Sequence, residues 1–224
     1  MPLQDSPPFS WSDTTGRPQG IYPAMAAALA RITGLDIRVE VVPFARAASL
    51  VASGQGDATL LFATAFTEGR AREAAVAFYT QQVVLMRPGL KVPGRADLAP
   101  LALGRMNGGC RDLAEDTRVP WRFEELSSQE AGVKMLLAGR IDGFCSVNES
   151  LSYAILGVVG AAQLDGAQRV VLALRPVWLL LSPQMDERTE TRLVQGLRQL
   201  QRSDEMHRIF RAQLGPHYLL NLPK

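Results

Sequence analysis

Pro43-Phe44-Ala45-Arg46, a helical run to Gly54-Gln55-Gly56-Asp57-Ala58, and then the apolar Thr59 to Ala63 form the stretch that decides the fold. A helix stopped by glycine, an aspartate close behind and a short apolar strand make half of a parallel αβ unit. The phrase returns in Val133-Lys134-Met135-Leu136-Leu137-Ala138-Gly139-Arg140-Ile141-Asp142-Gly143-Phe144-Cys145-Ser146. Helix, Gly-x-x-Asp and strand recur, which predicts two lobes on one plan with a ligand between them.

Upstream of this stretch, Pro7-Pro8-Phe9-Ser10-Trp11 reads as an extended segment leading to a turn at Asp13 to Gly16. Met25, Ala28, Leu29 and Ile32 share one helical face that Gly34 ends, and Asp36 to Val42 alternates as a half-exposed strand. Downstream, Gln82 to Met86 is a strand, and the Pro- and Gly-rich stretch from 87 to 100 places a first crossing between lobes near Arg87 to Lys91. Leu101 to Met106 is a strand, Asp112 to Asp116 a helix, Phe123 to Leu126 a strand, and Ser127-Ser128-Gln129-Glu130 a capping box. Leu151 to Val159 is a helix and Arg169 to Leu174 a strand, with the return crossing at Pro176 to Pro183 and two helices in the tail. Alternating helices and strands with short links define the class as α/β. The expected lobes are 1–87 and 88–176, with 177–224 returning to complete the first.

Composition narrows the function. A chain of 224 residues, 47% hydrophobic and 21% charged, is an ordinary globular protein. A net charge of +2 with scattered basic residues excludes a nucleic-acid face. The longest apolar run, Val170 to Leu181, is broken by Arg175 and Pro176 and falls short of the roughly 20 residues of a span. The opening Met1-Pro2-Leu3-Gln4-Asp5 shows no basic and apolar leader, as in a cytoplasmic protein or in a secreted one whose leader has been removed. Cys110 and Cys145 leave the compartment open.

In order along the chain, Pro8-Phe9-Ser10-Trp11, Gly16 to Gly20-Ile21, Pro43-Phe44-Ala45-Arg46, Gly54 to Ala58, Thr67 to Arg70, Phe78, Leu103-Gly104 to Gly108, Ser127 to Glu130 and Gly139-Arg140-Ile141-Asp142 resemble the polar amino-acid type of bacterial extracytoplasmic solute-binding protein, family 3. The resemblance implies a type II periplasmic-binding-protein-like fold, in which two Rossmann-like lobes joined by two crossover strands close around a ligand. It also implies a monomer in the periplasm, partnered by a small-molecule ligand and an ABC transporter permease, with no cofactor and no nucleic acid.

It further implies an arginine that clamps a ligand carboxylate in bidentate fashion. Counting forward from Thr67 selects Arg70; counting back from Phe78 selects Arg72, which is preferred, although both also read as exposed loop residues. Thr64 is placed to offer a hydroxyl, or is a plain strand-end threonine. Phe44 matches a cleft-lining aromatic and Trp11 a second apolar wall, each otherwise a core aromatic. Arg46 is a second cation, or a helix residue turned to water. In the second lobe Gly108 and Gly109 leave backbone N–H groups bare at a helix start, flanked by Met106, Cys110 and Arg111. Cys110 and Cys145 follow the ends of neighbouring strands, predicting a disulfide or a close thiol pair. The family's ammonium-holding aspartate falls on Val147; Asn148 beside it can hydrogen-bond an ammonium without neutralising it, and Glu149 serves only if it points inward. The expected ligand is therefore an amino acid or another small carboxylate.

Two rivals share this scaffold. An enzyme resembling the cyclohexadienyl dehydratases needs a general acid, for which Glu149, Glu68 and Glu73 are the candidates, while His207 and His217 read as surface residues. A ligand-sensing receptor domain differs only in what the chain is attached to. No metal spacing, nucleophile elbow or phosphate loop is present in the sequence.

Overall fold

The computed structural model describes residues 1–63, 67–107, 109–164, 166–216 and 218–223, apart from the side chains of 112, 161 and 162. From the start of the chain run β1 (Pro2–Gln4), β2 (Trp11–Ser12), β3 (Pro18–Gln19), α1 (Ile21–Thr33), β4 (Glu40–Val42), α2 (Phe44–Ala52), β5 (Ala58–Leu61) and β6 (Arg72–Met86). There follow β7 (Ala102–Met106), α3 (Arg111–Ala114), β8 (Arg122–Leu126), α4 (Gln129–Leu137), β9 (Gly143–Val147) and α5 (Asn148–Gly157). β10 (Arg169–Leu181), α6 (Glu187–Gln201) and α7 (Asp204–Leu214) complete the order. The chain forms two compact units, Met1–Tyr79 with Pro176–Lys224, and Thr80–Arg175. The largest sheet has the order β5-β10-β6-β9-β7-β8, and β6 and β10 each carry the chain from one unit to the other. The first boundary thus lies inside a 15-residue strand, ahead of the glycine- and proline-rich stretch where composition placed it.

In the first unit β1 and β4 pair in parallel, and β5 runs antiparallel to the last residues of β10 with Leu61 opposite Trp178. The Thr59 hydroxyl donates to the Pro2 carbonyl at 2.6 Å, tying β5 to β1. α1 buries Ile21, Tyr22, Met25 and Leu29 and ends at Gly34 with φ 67, as its spacing predicts. Its first amides are satisfied by backbone, since Ile21 N–H donates to Pro8 O and Tyr22 N–H to Phe9 O. α6 and α7 bury Leu193, Leu197, Leu200, Met206 and Phe210. Phe210 meets Phe78 edge-on at 4.9 Å, and Phe9 lies 5.1 Å from Tyr22. Of the strand expected over 36–42 only β4 forms; β1 is three residues long and pairs with 40–42 alone.

In the second unit β9 pairs antiparallel with β6 and parallel with β7, which pairs in parallel with β8. Alternation along β6 sends Val83 and Leu85 to one face with Phe144, Leu136 and Leu151, and Val84 and Met86 to the other with Leu98, Leu103 and Leu113. α4 and α5 cover the first face. Ser128, not Ser127, caps α4, its hydroxyl accepting the Ala131 N–H at 3.1 Å. α4 ends in a Schellman turn: Gly139 at φ 64 donates to Leu136 O while Arg140 donates to Met135 O. Asp142 then accepts Arg87 Nε at 3.0 Å and the Ala102 N–H at 3.1 Å, so the motif's aspartate fixes the start of its strand.

Gly132 of α4 faces the Phe144 ring so closely that an added Cβ would overlap it, whereas a Cβ on Gly157 meets nothing within 4 Å. Gly132→Ala is expected to destabilise by about 1–3 kcal/mol through overpacking. Gly157→Ala, at the end of a helix, is expected to be neutral or stabilising by up to about 1 kcal/mol. Urea unfolding of both variants beside the parent checks the contrast.

Candidate functional site

The first unit's contribution begins where β4 hands over to α2. Pro43 precedes the helix, no side chain caps it and no acidic residue occupies its first turn, so its N-terminal partial positive charge is uncompensated by side chains. Phe44 is half-buried against Val42, Ala47, Ala48, Leu61 and Leu180. Arg46, the third residue of the helix, is exposed and has no ion pair among the described residues. Trp11 is half-buried on β2, and its ring edge lies where a side chain on Gly20 would have to go. Phe9, not Trp11, is the buried aromatic of that segment.

Arg70 and Arg72 separate here. Thr67 is buried and its carbonyl accepts both Arg70 N–H and Ala71 N–H, closing a turn that leaves Arg70 exposed without an ion pair among the described residues. Arg72 opens β6 and turns to the stretch before α6. Its Nη2 donates to Met185 O at 2.6 Å and its Nη1 pairs with Glu190 at 3.0 Å. Asp186 beside it caps α6 by accepting the Thr189 N–H at 2.9 Å; backbone and side-chain hydrogen bonds from Thr189 hold that carboxyl below its usual range. Arg72 therefore already has an anionic and a carbonyl partner, and the count from Phe78 that prefers it does not distinguish a clamp from an anchor. Thr64 lies outside the described residues.

In the second unit the candidates follow β7 and β9. Met106 is half-buried against the cluster of α4 and α5, and Gly109 donates to its carbonyl at 2.7 Å; Gly108 lies outside the described residues. Cys110 is bonded to Cys145, 35 residues on, with Cα atoms 5.9 Å apart. By chain entropy a loop of that length is worth about 4 kcal/mol. The helix expected over 112–116 is one turn, Arg111–Ala114, too short to act as a helix terminus for an anion. Arg111 is exposed and paired with Glu115 at 2.6 Å. Asn148 opens α5, half-buried, with its Oδ1 enclosed and unpartnered among the described residues. Glu149 is fully buried and accepts the Thr80 hydroxyl, so it is committed inside the unit. Glu68 and Glu73 are exposed, His207 is half-buried on α7, and His217 lies outside the described residues.

Residue reading missed Arg105. Its Nη2 pairs with Glu125 at 2.5 Å, its guanidinium sits 4.3 Å over the Phe123 ring, and its Nη1 donates to Gly109 O at 3.3 Å. The usable signal was the Phe123-x-Glu125 alternation on the strand paired with β7, which puts both groups on one side of Arg105. A cavity of about 460 Å³ within the first unit is lined by Leu29, Ile37, Asp57, Leu179 and Asp186 among others, and by none of the candidate residues. Among the described residues no group of His, Cys, Asp or Glu could hold a metal, and no helix is long and apolar enough to cross a membrane.

The model of the bacterial extracellular solute-binding proteins, family 3, matches residues 2–215. The chain belongs to that family. No curated protein matches this family 3 chain. Among solved structures it is similar to the second substrate-binding domain of a putative amino acid ABC transporter from Streptococcus pneumoniae, at 17% identity and TM-score 0.71 over 95% of this chain and 98% of that one. It is similar to the ancestral amino acid-binding protein AncCDT-1, a precursor of cyclohexadienyl dehydratase, at 16% identity and TM-score 0.68 over 96% and 94%. A histidine kinase sensor domain with similarity to periplasmic binding proteins gives 16% and 0.69 over 100% and 97%. These likenesses give the family 3 chain a periplasmic-binding-protein-like α/β fold.

Removing the Arg72 head group is expected to cost about 1 kcal/mol of stability, because the Met185 carbonyl and Glu190 lose a partner at a half-exposed site. Denaturant midpoints for Arg72→Met against the parent read this; an unchanged midpoint would show that the contacts carry no net stability.

Proposed function

We propose that this chain captures a small polar ligand, an amino acid or another small carboxylate, in the interlobe cleft that the family resemblance implies, for delivery to an ABC importer permease. It works as a monomer in the periplasm and catalyses nothing. The observation that carries the ligand class is the state of the charges. Arg46 and Arg70 are exposed and have no carboxylate partner among the described residues, while Arg72 and Arg111 have theirs. Free guanidinium groups favour an anion, and Arg46 lies in the first turn of a helix with no side-chain cap. The position where the resemblance expects a carboxylate for the ligand's ammonium is Val147, Asn148 supplies only an amide, and Glu149 is spent on Thr80. A small carboxylate without an α-ammonium is thus favoured over a free amino acid, and Arg70 is favoured over Arg72 as its clamp. The disulfide supports an oxidising compartment.

A second reading, a ligand-sensing receptor domain, draws support from the sensor-domain likeness that covers the whole chain. It predicts the same ligand chemistry and differs in partner.

Thermal unfolding against a panel of amino acids and small mono- and dicarboxylates tests the ligand class. A ligand at about 100 times its dissociation constant adds roughly 2.7 kcal/mol, a rise of several degrees for a chain of this size. Arg70→Met is expected to abolish the rise while leaving the unliganded midpoint within about 1 °C. Arg72→Met is expected to lower that midpoint and keep the rise. A rise that survives Arg70→Met and vanishes in Arg72→Met reverses the assignment. Steady conversion of prephenate or arogenate would replace binding by catalysis.

A further inference from the structure

The segment Gly109–Ala114 links β7 to the rest of the second unit through one turn of helix, too short to keep its shape unaided. Within it Cys110 has φ 56 and ψ 41, and it is the non-glycine residue with positive φ among the described residues. A side chain in that region persists where neighbouring structure imposes it. The imposing contacts can be named. Cys110 is bonded to Cys145, which is held in β9 opposite Val84 on one side and Arg105 on the other. Arg105, clamped by Glu125 and lying over Phe123, reaches the carbonyl of Gly109. Leu113, fully buried, packs in the same core cluster as Cys110 and Cys145.

We propose that the Cys110–Cys145 bond and Arg105 are positioning groups, which brace Gly109–Cys110 in a left-handed turn so that the second unit presents fixed backbone to the ligand. The role toward a ligand rests on the reading under Proposed function; the brace itself does not. A disulfide that only staples the chain would raise global stability without setting this local conformation. Glycine accepts φ 56 at no steric cost and alanine does not, so replacements at position 110 tell the two apart.

Three variants of the full chain make the test: C110A/C145A, C110G/C145A and Arg105→Met, the last keeping the disulfide so that folding is not at issue. Amide exchange is followed at Leu113 and Ala114, both of which donate to the Cys110 carbonyl. Exchange there, relative to β7 and β8, is expected to quicken about tenfold in C110A/C145A and less in C110G/C145A and Arg105→Met. Calorimetric affinity for glutarate and L-glutamate is expected to fall in the same order. Unchanged relative exchange in all three variants overturns the brace, and equal affinities in the two double variants overturn its role toward the ligand. If the parent binds neither probe, the ligand class proposed above falls with the role toward these ligands, and the exchange data still decide the brace.

Discussion

A residue in the left-handed conformation after α2 and again after α4 is the constraint on which both units depend. A helix that hands over to a buried strand within a few residues commonly does so through one residue at positive φ, and Gly54 at φ 79 and Gly139 at φ 64 are those residues here. The two turns then diverge in detail. After α4 the buried Ile141 follows, and Asp142 fixes the edges of neighbouring segments. After α2 the equivalent position is Gly56, where a side chain would run into the ring of Pro2, and its amide returns to Leu50. The same local device thus seats two different strand neighbours, which is how one plan serves two lobes of unlike sequence.

That repeat was legible because it rests on local chemistry. Gly34, Gly54 and Gly139 end helices, apolar spacing marks α1, α6 and α7, and each reads from a window of a few residues. What was not legible depends on distant partners. β6 begins at Arg72, yet Glu73-Ala74-Ala75-Val76-Ala77 has a helical propensity that only pairing within the sheet overrides. β10 runs through Pro176, which reads as a break in isolation. The cysteines were expected just after neighbouring strand ends; Cys110 does follow β7, but Cys145 lies in the middle of β9, and the two are bonded. Among the candidate residues, spacing selected both Arg70 and Arg72 and preferred Arg72. Only the fold, by delivering Met185 and Glu190 to one of them, separates a guanidinium that is engaged from one that is free.

The same charge economy governs the second unit. A fully buried carboxylate is costly unless hydrogen-bonded, and Glu149 takes its donor from Thr80, the first residue of the unit on β6. Glu149 is thus committed and out of reach of solvent. Asn148 is the opposite case: its Oδ1 is enclosed without a donor among the described residues, which costs stability. Glu149 and Asn148 thus differ in state: the carboxylate has its donor, and the amide oxygen has none among the described residues. Net charge alone, at +2, does not tell which groups are engaged. Engagement follows from the partners that the fold delivers, so the acids it buries shape the exposed charge as much as the arginines it leaves at the surface.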